Sequence, residues 1–106
     1  MLVVTTENIR GYQVEQVLGH VFGVVVRSRG IGGNITAAFR SLAGGEIKEY
    51  TEMLEDARKS AIDRMVQNAH NMGANAVVMA RFDSSEVGQT MSEVVAYGTA
   101  VVVREE

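Results

Sequence analysis

The residues able to do chemistry are few and scattered. His20 sits on the even-numbered, otherwise apolar face of a valine-rich segment, and His70 lies near the end of a long helical pattern. A closed metal site needs about four converging ligands. His20 therefore reads first as an interior or interface residue, and a metal role for it needs ligands from neighbouring copies. Asp83-Ser84-Ser85-Glu86 places two carboxylates in a short polar connection. Paired carboxylates can hold a hard cation, but this spacing fits no calcium-loop template and is also ordinary turn chemistry. Arg40, just before Gly44-Gly45, is a candidate anion ligand or interface ion-pair partner. Gly30-Ile31-Gly32-Gly33-Asn34 matches neither the dinucleotide fingerprint nor Walker A. Thr5, Thr6 and Thr99 have hydroxyls but no adjacent base to activate them. With no triad, acid–base pair or metal-ligand run, the chain reads as a non-enzyme without an obligatory cofactor; a bound metal ion is the one cofactor kept open.

The elements that must position these residues belong to a small chain. Its 106 residues suit one domain, 1–106, and 46% of them are apolar. The formal net charge of −3 offers no basic face to a polyanion, so nucleic acid is disfavoured as a partner. There is no cysteine, which excludes disulfides and thiolate-ligated metal, and no proline. No stretch approaches the roughly 18 apolar residues of a membrane span, and the start lacks a basic leader. A cytoplasmic protein without a membrane partner is expected.

Valine runs mark strands, because β-branched side chains suit the pleated sheet. Strands are predicted at about 2–5, 12–27, 75–83 and 91–104, the last two joined as a hairpin through Ser84, Ser85, Gly88 and Gln89. Ala76, Val78, Ala80 and Phe82 are expected on one face of the third strand. Asn34 is a plausible N-cap for a short helix over 35–42. Tyr50, Met53, Leu54, Ala57, Ala61, Met65, Ala69 and Met72 recur at spacings of three and four, predicting a long helix over 46–72 that ends at Gly73 with positive φ. The expected fold class is α+β: a two-layer subunit of β-β-α-α-β-β order, with an antiparallel sheet packed on one long helix.

This pattern implies self-association. Val24-Val25-Val26 and Ala100-Val101-Val102-Val103 do not alternate, so both faces of those strands look buried. One helix covers one face only, and the chain shows no spare element for the other. Ile62 and Val66 also widen the apolar arc of the long helix beyond the stripe a single sheet requires. Monomers seldom expose large contiguous apolar patches.

The order Thr5-Thr6, Ile9, Gly11, Gly19, Gly23, Arg40, Gly44-Gly45, Tyr50, Leu54, Ala57-Arg58, Ala61, Gly73-Ala74-Asn75-Ala76-Val77-Val78 and Gly98-Thr99-Ala100-Val101 resembles the YbjQ-like family, labelled heavy-metal-binding. The resemblance covers nearly the whole chain. It implies a compact α+β subunit assembled as a homo-oligomeric ring, commonly a pentamer. The chain also departs from the family pattern. Val24, Arg81 and Ser85 stand where many members carry acids, leaving Asp83 alone, and Met79 stands where glycine is usual. The lost acids remove candidate cation ligands.

The function expected is a small non-catalytic homo-oligomeric binding protein. Its metal or small ligand would sit between subunits, with Arg40, Asp83 and Glu86 as ligand candidates and His20 with Asp83 as metal candidates. The alternative is a structural or scaffolding oligomer that meets a protein partner.

Overall fold

The computed structural model describes residues 1–28, 48–87 and 91–106, with side chains for all of these but 28, 48–50 and 87. The described elements are β1 (Leu2–Val3), β2 (Tyr12–Ser28), α1 (Lys48–Asn71), β3 (Ala76–Val87) and β4 (Met91–Glu105). They form a four-stranded sheet in the order β1-β3-β4-β2, with α1 against one face. The expected short helix over 35–42 lies outside the described residues.

The sheet is mixed, which corrects the expectation of a wholly antiparallel one. β1 runs parallel to β3, while β4 is antiparallel to both β2 and β3. The crossover through α1 returns the chain so that β3 runs in the same direction as β2, and β4 then fills the gap between them. β3 also extends to Val87. Ser84 and Ser85, expected in the connection, are strand residues paired with Val94 and Glu93.

The helix carries a stripe of small residues at its contact with the sheet. Ala57, Ala61, Met65 and Ala69 are buried against Val21, Val25, Val94 and Ala96. Gly23 lies beneath the crossing: a Cβ there would collide with the Ala61 carbonyl oxygen and the Met65 nitrogen, and would sit 2.9 Å from Arg64 Cβ. Helix and strand therefore approach as closely as backbones allow. Ile62 packs against the same core, so part of the wide apolar arc is used within the chain itself. Leu54 and Met72, at the two ends of the stripe, remain exposed.

The helix ends where its sequence says it should. Gly73 has φ +93°, and the Ala74 and Gly73 N–H groups donate to the Ala69 and His70 carbonyls at 3.0 and 2.9 Å. This is the Schellman arrangement, with the chain reversing at the one residue free of a Cβ. Asn75 then splices the chain into the sheet. Its Nδ2 donates to the Val103 carbonyl at 2.8 Å and its Oδ1 accepts from the Val103 N–H at 2.7 Å. A side-chain amide thus stands in for one more rung of backbone ladder.

Irregularities in the register decide which residues face which way. The β2–β4 pairing skips at Glu15 and Leu18, and the β3–β4 pairing skips at Met79 and Ala80. Each β2 bulge shifts the alternation by one residue. Between the two bulges Gln16 and Val17 exchange faces; beyond Gly19 the shifts cancel, and the buried residues of β2 are the odd-numbered Val21 and Val25. On β3 the expected single face divides: Ala80 joins the helix-side core, while Ala76 and Val78 join a second one.

That second core lies on the face away from α1. Ala76, Val78, Val101 and Val103 are buried there beneath Val4, Ile9 and Tyr12. The N-terminal segment is thus a covering element that the sequence reading did not foresee. It covers only the part of this face near the N-terminal end of β3.

Candidate functional site

The remainder of that face, which no described residue covers, is the candidate site. Directly opposed residues of antiparallel strands share a face. The register therefore lines up His20 with Thr99, Phe22 with Tyr97 and then Arg81, and Val24 with Val95 and then Asp83. Phe22 is 50% exposed, Val26 49% and Tyr97 43%. The His20 and Phe22 rings lie nearly parallel, 7° apart, with centroids 6.2 Å from one another. An apolar and aromatic strip thus runs along β2 and β4, flanked by the polar residues of β3.

Each candidate residue can now be placed. His20 is exposed on this strip. Asp83 shares the face, and its Oδ1 accepts the Ser84 N–H at 2.9 Å. The two are not neighbours: they flank β4 opposite Thr99 and Val95. Four residues of strand separate them by roughly 13 Å along β4 alone, against metal–ligand bonds of about 2 Å. Glu86 pairs with Ser92, which puts it on the helix face, opposite to Asp83. The two carboxylates of Asp83-Ser84-Ser85-Glu86 therefore point to different faces and cannot chelate one ion within one chain. Arg40 lies outside the described residues. His70 is exposed in the last turn of α1. Among the described residues no three His, Asp or Glu side chains cluster as a metal site would require.

Arg81 is engaged by the fold. Its Nη1 donates to the Thr5 and Ala80 carbonyls at 2.7 and 2.9 Å, tying β3 to the N-terminal segment. On the helix side, the Arg58 guanidinium lies 5.6 Å from the centre of the Phe82 ring, a cation–π arrangement.

The outer edge of β2 is capped rather than open in its upper stretch. Asn68 Nδ2 donates to the Phe22 carbonyl at 2.8 Å and Arg64 Nη1 to the Val24 carbonyl at 2.7 Å. Sequence reasoning singled out His20 and Asp83 as candidates but did not single out Phe22 and Tyr97, which are exposed and directly opposed. Their role depends on the register between β2 and β4, which no local pattern encodes.

No described helix is long and apolar enough to cross a membrane. A family model named YbjQ, with the description "Putative heavy-metal-binding", matches residues 1–104. A UPF0145 protein of Bradyrhizobium sp. strain ORS 278 is 68% identical over 103 residues, covering 97% of this chain and 93% of that protein. UPF0145 proteins of Sulfurisphaera tokodaii and Thermoplasma acidophilum are 57% and 56% identical, covering 97% and 99% of this chain and 90% and 88% of theirs. A crystal structure of a protein of unknown function of the DUF74 family, from Pediococcus pentosaceus, shares the fold: its TM-score is 0.64 at 17% identity, over 98% of each chain. On the whole-chain match and these identities, the chain belongs to the YbjQ (UPF0145) family.

Proposed function

We propose that this protein is a cytoplasmic, non-catalytic homo-oligomer that binds a metal ion or small ligand between subunits. The observation that carries the reading is the row of exposed Phe22, Val26 and Tyr97, with half-buried Val24 among them, on the face away from α1. Apolar side chains in such a row gain about 25 cal/mol per Å² on leaving water, and the described residues cover only the far end of this face. A second copy supplies that cover. The ring, commonly pentameric, that the family resemblance implies fits a contact repeated around an axis.

The ligand part of the reading follows from the placement of His20 and Asp83. Each is solvent-facing on the same sheet surface, and each alone is too few for a site. A subunit joint gathers one or two such groups from every chain, which is the cheapest way for a fold without clustered ligands to reach a coordination number of about four. His20 and Asp83 are the metal candidates, and Glu86 and Arg40 the further ligand candidates. The rival reading, a scaffolding oligomer that meets a protein partner, draws on the same apolar row without any ligand.

Light scattering and zinc titration test the proposal together. A pentamer of 11.5 kDa chains gives 5 × 11.5 = 57.5 kDa. Zinc binding by the assembly that is lost in both His20→Ala and Asp83→Ala supports the inter-subunit site. An assembly that binds no zinc or copper supports the scaffold, and an 11.5 kDa species persisting on concentration removes both readings.

A further inference from the structure

We infer that residues 4–9 form a releasable strap, latched onto the sheet by the strained bulge at Met79, whose opening enlarges the exposed apolar face. Met79 has φ +56° and is the one non-glycine residue with positive φ among those described. A side chain in this region carries a steric penalty between its Cβ and the backbone. Burial does not hold Met79 there, because its side chain is 42% exposed. Hydrogen bonds to the strap do. The Met79 N–H donates to the Thr6 carbonyl at 3.0 Å and the Ala80 N–H to the Val4 carbonyl at 2.9 Å. Successive N–H groups of a regular strand point to opposite edges. The bulge turns both of these toward the same segment.

The rest of the latch is concentrated at the same place. The Val4 N–H donates to the Val77 carbonyl at 2.9 Å, and Arg81 Nη1 reaches the Thr5 carbonyl. Gly98, opposite the bulge, makes room for it: a Cβ there would lie 2.9 Å from the Val78 carbonyl oxygen and 3.3 Å from Ala80 Cα. Strain and strap are therefore coupled. Releasing the strap frees Met79 to leave the unfavourable region, so the closed state is stabilised by the latch bonds less the strain. Strained residues persist only where their surroundings over-determine them, and here the hydrogen bonds of Val77, Met79, Ala80 and Arg81 to the strap do so.

Opening has a defined consequence. Beside the strap lies a groove of about 540 Å³, with Glu7 and Asn8 on the strap side, Val14 and Val17 on β2, and Thr99 and Val101 between them. Lifting the strap removes one wall of this groove and uncovers the second core of Ala76, Val78, Val101 and Val103. Groove and core then merge with the strip that begins at His20. The strap thus sets how much of this face is offered, whether or not a second copy binds there.

Amide hydrogen exchange of the full chain tests the latch. The Val4, Met79 and Ala80 amides are expected to exchange together through one local opening, roughly tenfold or more faster than the buried β4 amides of Ala100 and Val101. Met79→Gly removes the strain and should slow all three by roughly fivefold, with the β4 amides unchanged. Met79→Ala keeps the Cβ and should leave the three rates near wild type. Three unrelated rates, rates equal to those of Ala100 and Val101, or equal slowing by the glycine and alanine variants would each overturn the inference.

Discussion

Gly23→Ala probes the closest approach in the fold. The added methyl would overlap two backbone atoms of α1, the Ala61 carbonyl oxygen and the Met65 nitrogen, and lie 2.9 Å from Arg64 Cβ. Backbone cannot rotate out of the way as a side chain can, so the helix must lift. Overfilling a packed core destabilises by about 1–3 kcal/mol. Lifting α1 also stretches the Arg64 and Asn68 hydrogen bonds to the Val24 and Phe22 carbonyls, now 2.7 and 2.8 Å, each worth about 1 kcal/mol. Together the loss is about 4 kcal/mol, a large share of a typical stability of roughly 5–15 kcal/mol. Urea denaturation followed by far-UV circular dichroism at fixed protein concentration reads it directly. With a slope of about 2 kcal/mol per molar, the midpoint falls by about 2 M. Adding Ala61→Gly should not restore it, because the colliding atom at Ala61 is its carbonyl oxygen. A Gly23→Ala midpoint within about 0.3 M of wild type, or rescue by Ala61→Gly, would refute the reasoning.

Three further outcomes follow from the same geometry. Gly73→Ala forces a Cβ into φ +93° at the end of α1 and should destabilise by about 1 kcal/mol in the same urea assay. Asn75→Ala removes both bonds to Val103 and should lose about 2 kcal/mol; Asn75→Asp should not recover it, since it keeps an acceptor but loses the donor. Asp56→Asn breaks the Arg27 ion pair at 3.2 Å, whose side chains are 43% and 70% exposed. It should shift stability by no more than about 0.5 kcal/mol, and less at high salt.

What could be read from the residues was local. The helix end at Gly73 was legible because a Schellman turn is written in a few adjacent residues. The α1 stripe was legible from Ala57 to Ala69 because nothing interrupts the helical period there. The valine runs correctly marked strands with two apolar faces: Val25 is in the helix-side core and Val101 in the second one. The facing of β3 was misread because alternation assumes an unbroken ladder, and the bulge at Met79 and Ala80 sends Ala80 to the helix-side core while Ala76 and Val78 join the second. The bulges at Glu15 and Leu18 invert only Gln16 and Val17, because two one-residue shifts cancel beyond Gly19. The cover supplied by Val4, Ile9 and Tyr12 was invisible for a different reason: a short irregular segment has no period. For the candidate site, His20 was found by its type. Its stacking on Phe22, and the distance from Asp83, depend on strand order and register.

The parallel pairing of β1 with β3 also bears on how the chain comes together. Leu2 meets Ala76, 76 − 2 = 74 residues later, whereas Val87 meets Met91, only four residues along the chain. Loop-closure entropy makes the β3–β4 hairpin the pairing available first, with β2 added across α1 and β1 closing a loop that spans most of the chain. During synthesis the residues of β1 must therefore wait for their β3 partner until it has emerged. Their brevity as a strand, two residues, leaves little adhesive edge in that interval. The same economy that makes the strap easy to lift makes it safe to leave unpaired while the rest of the sheet is being made.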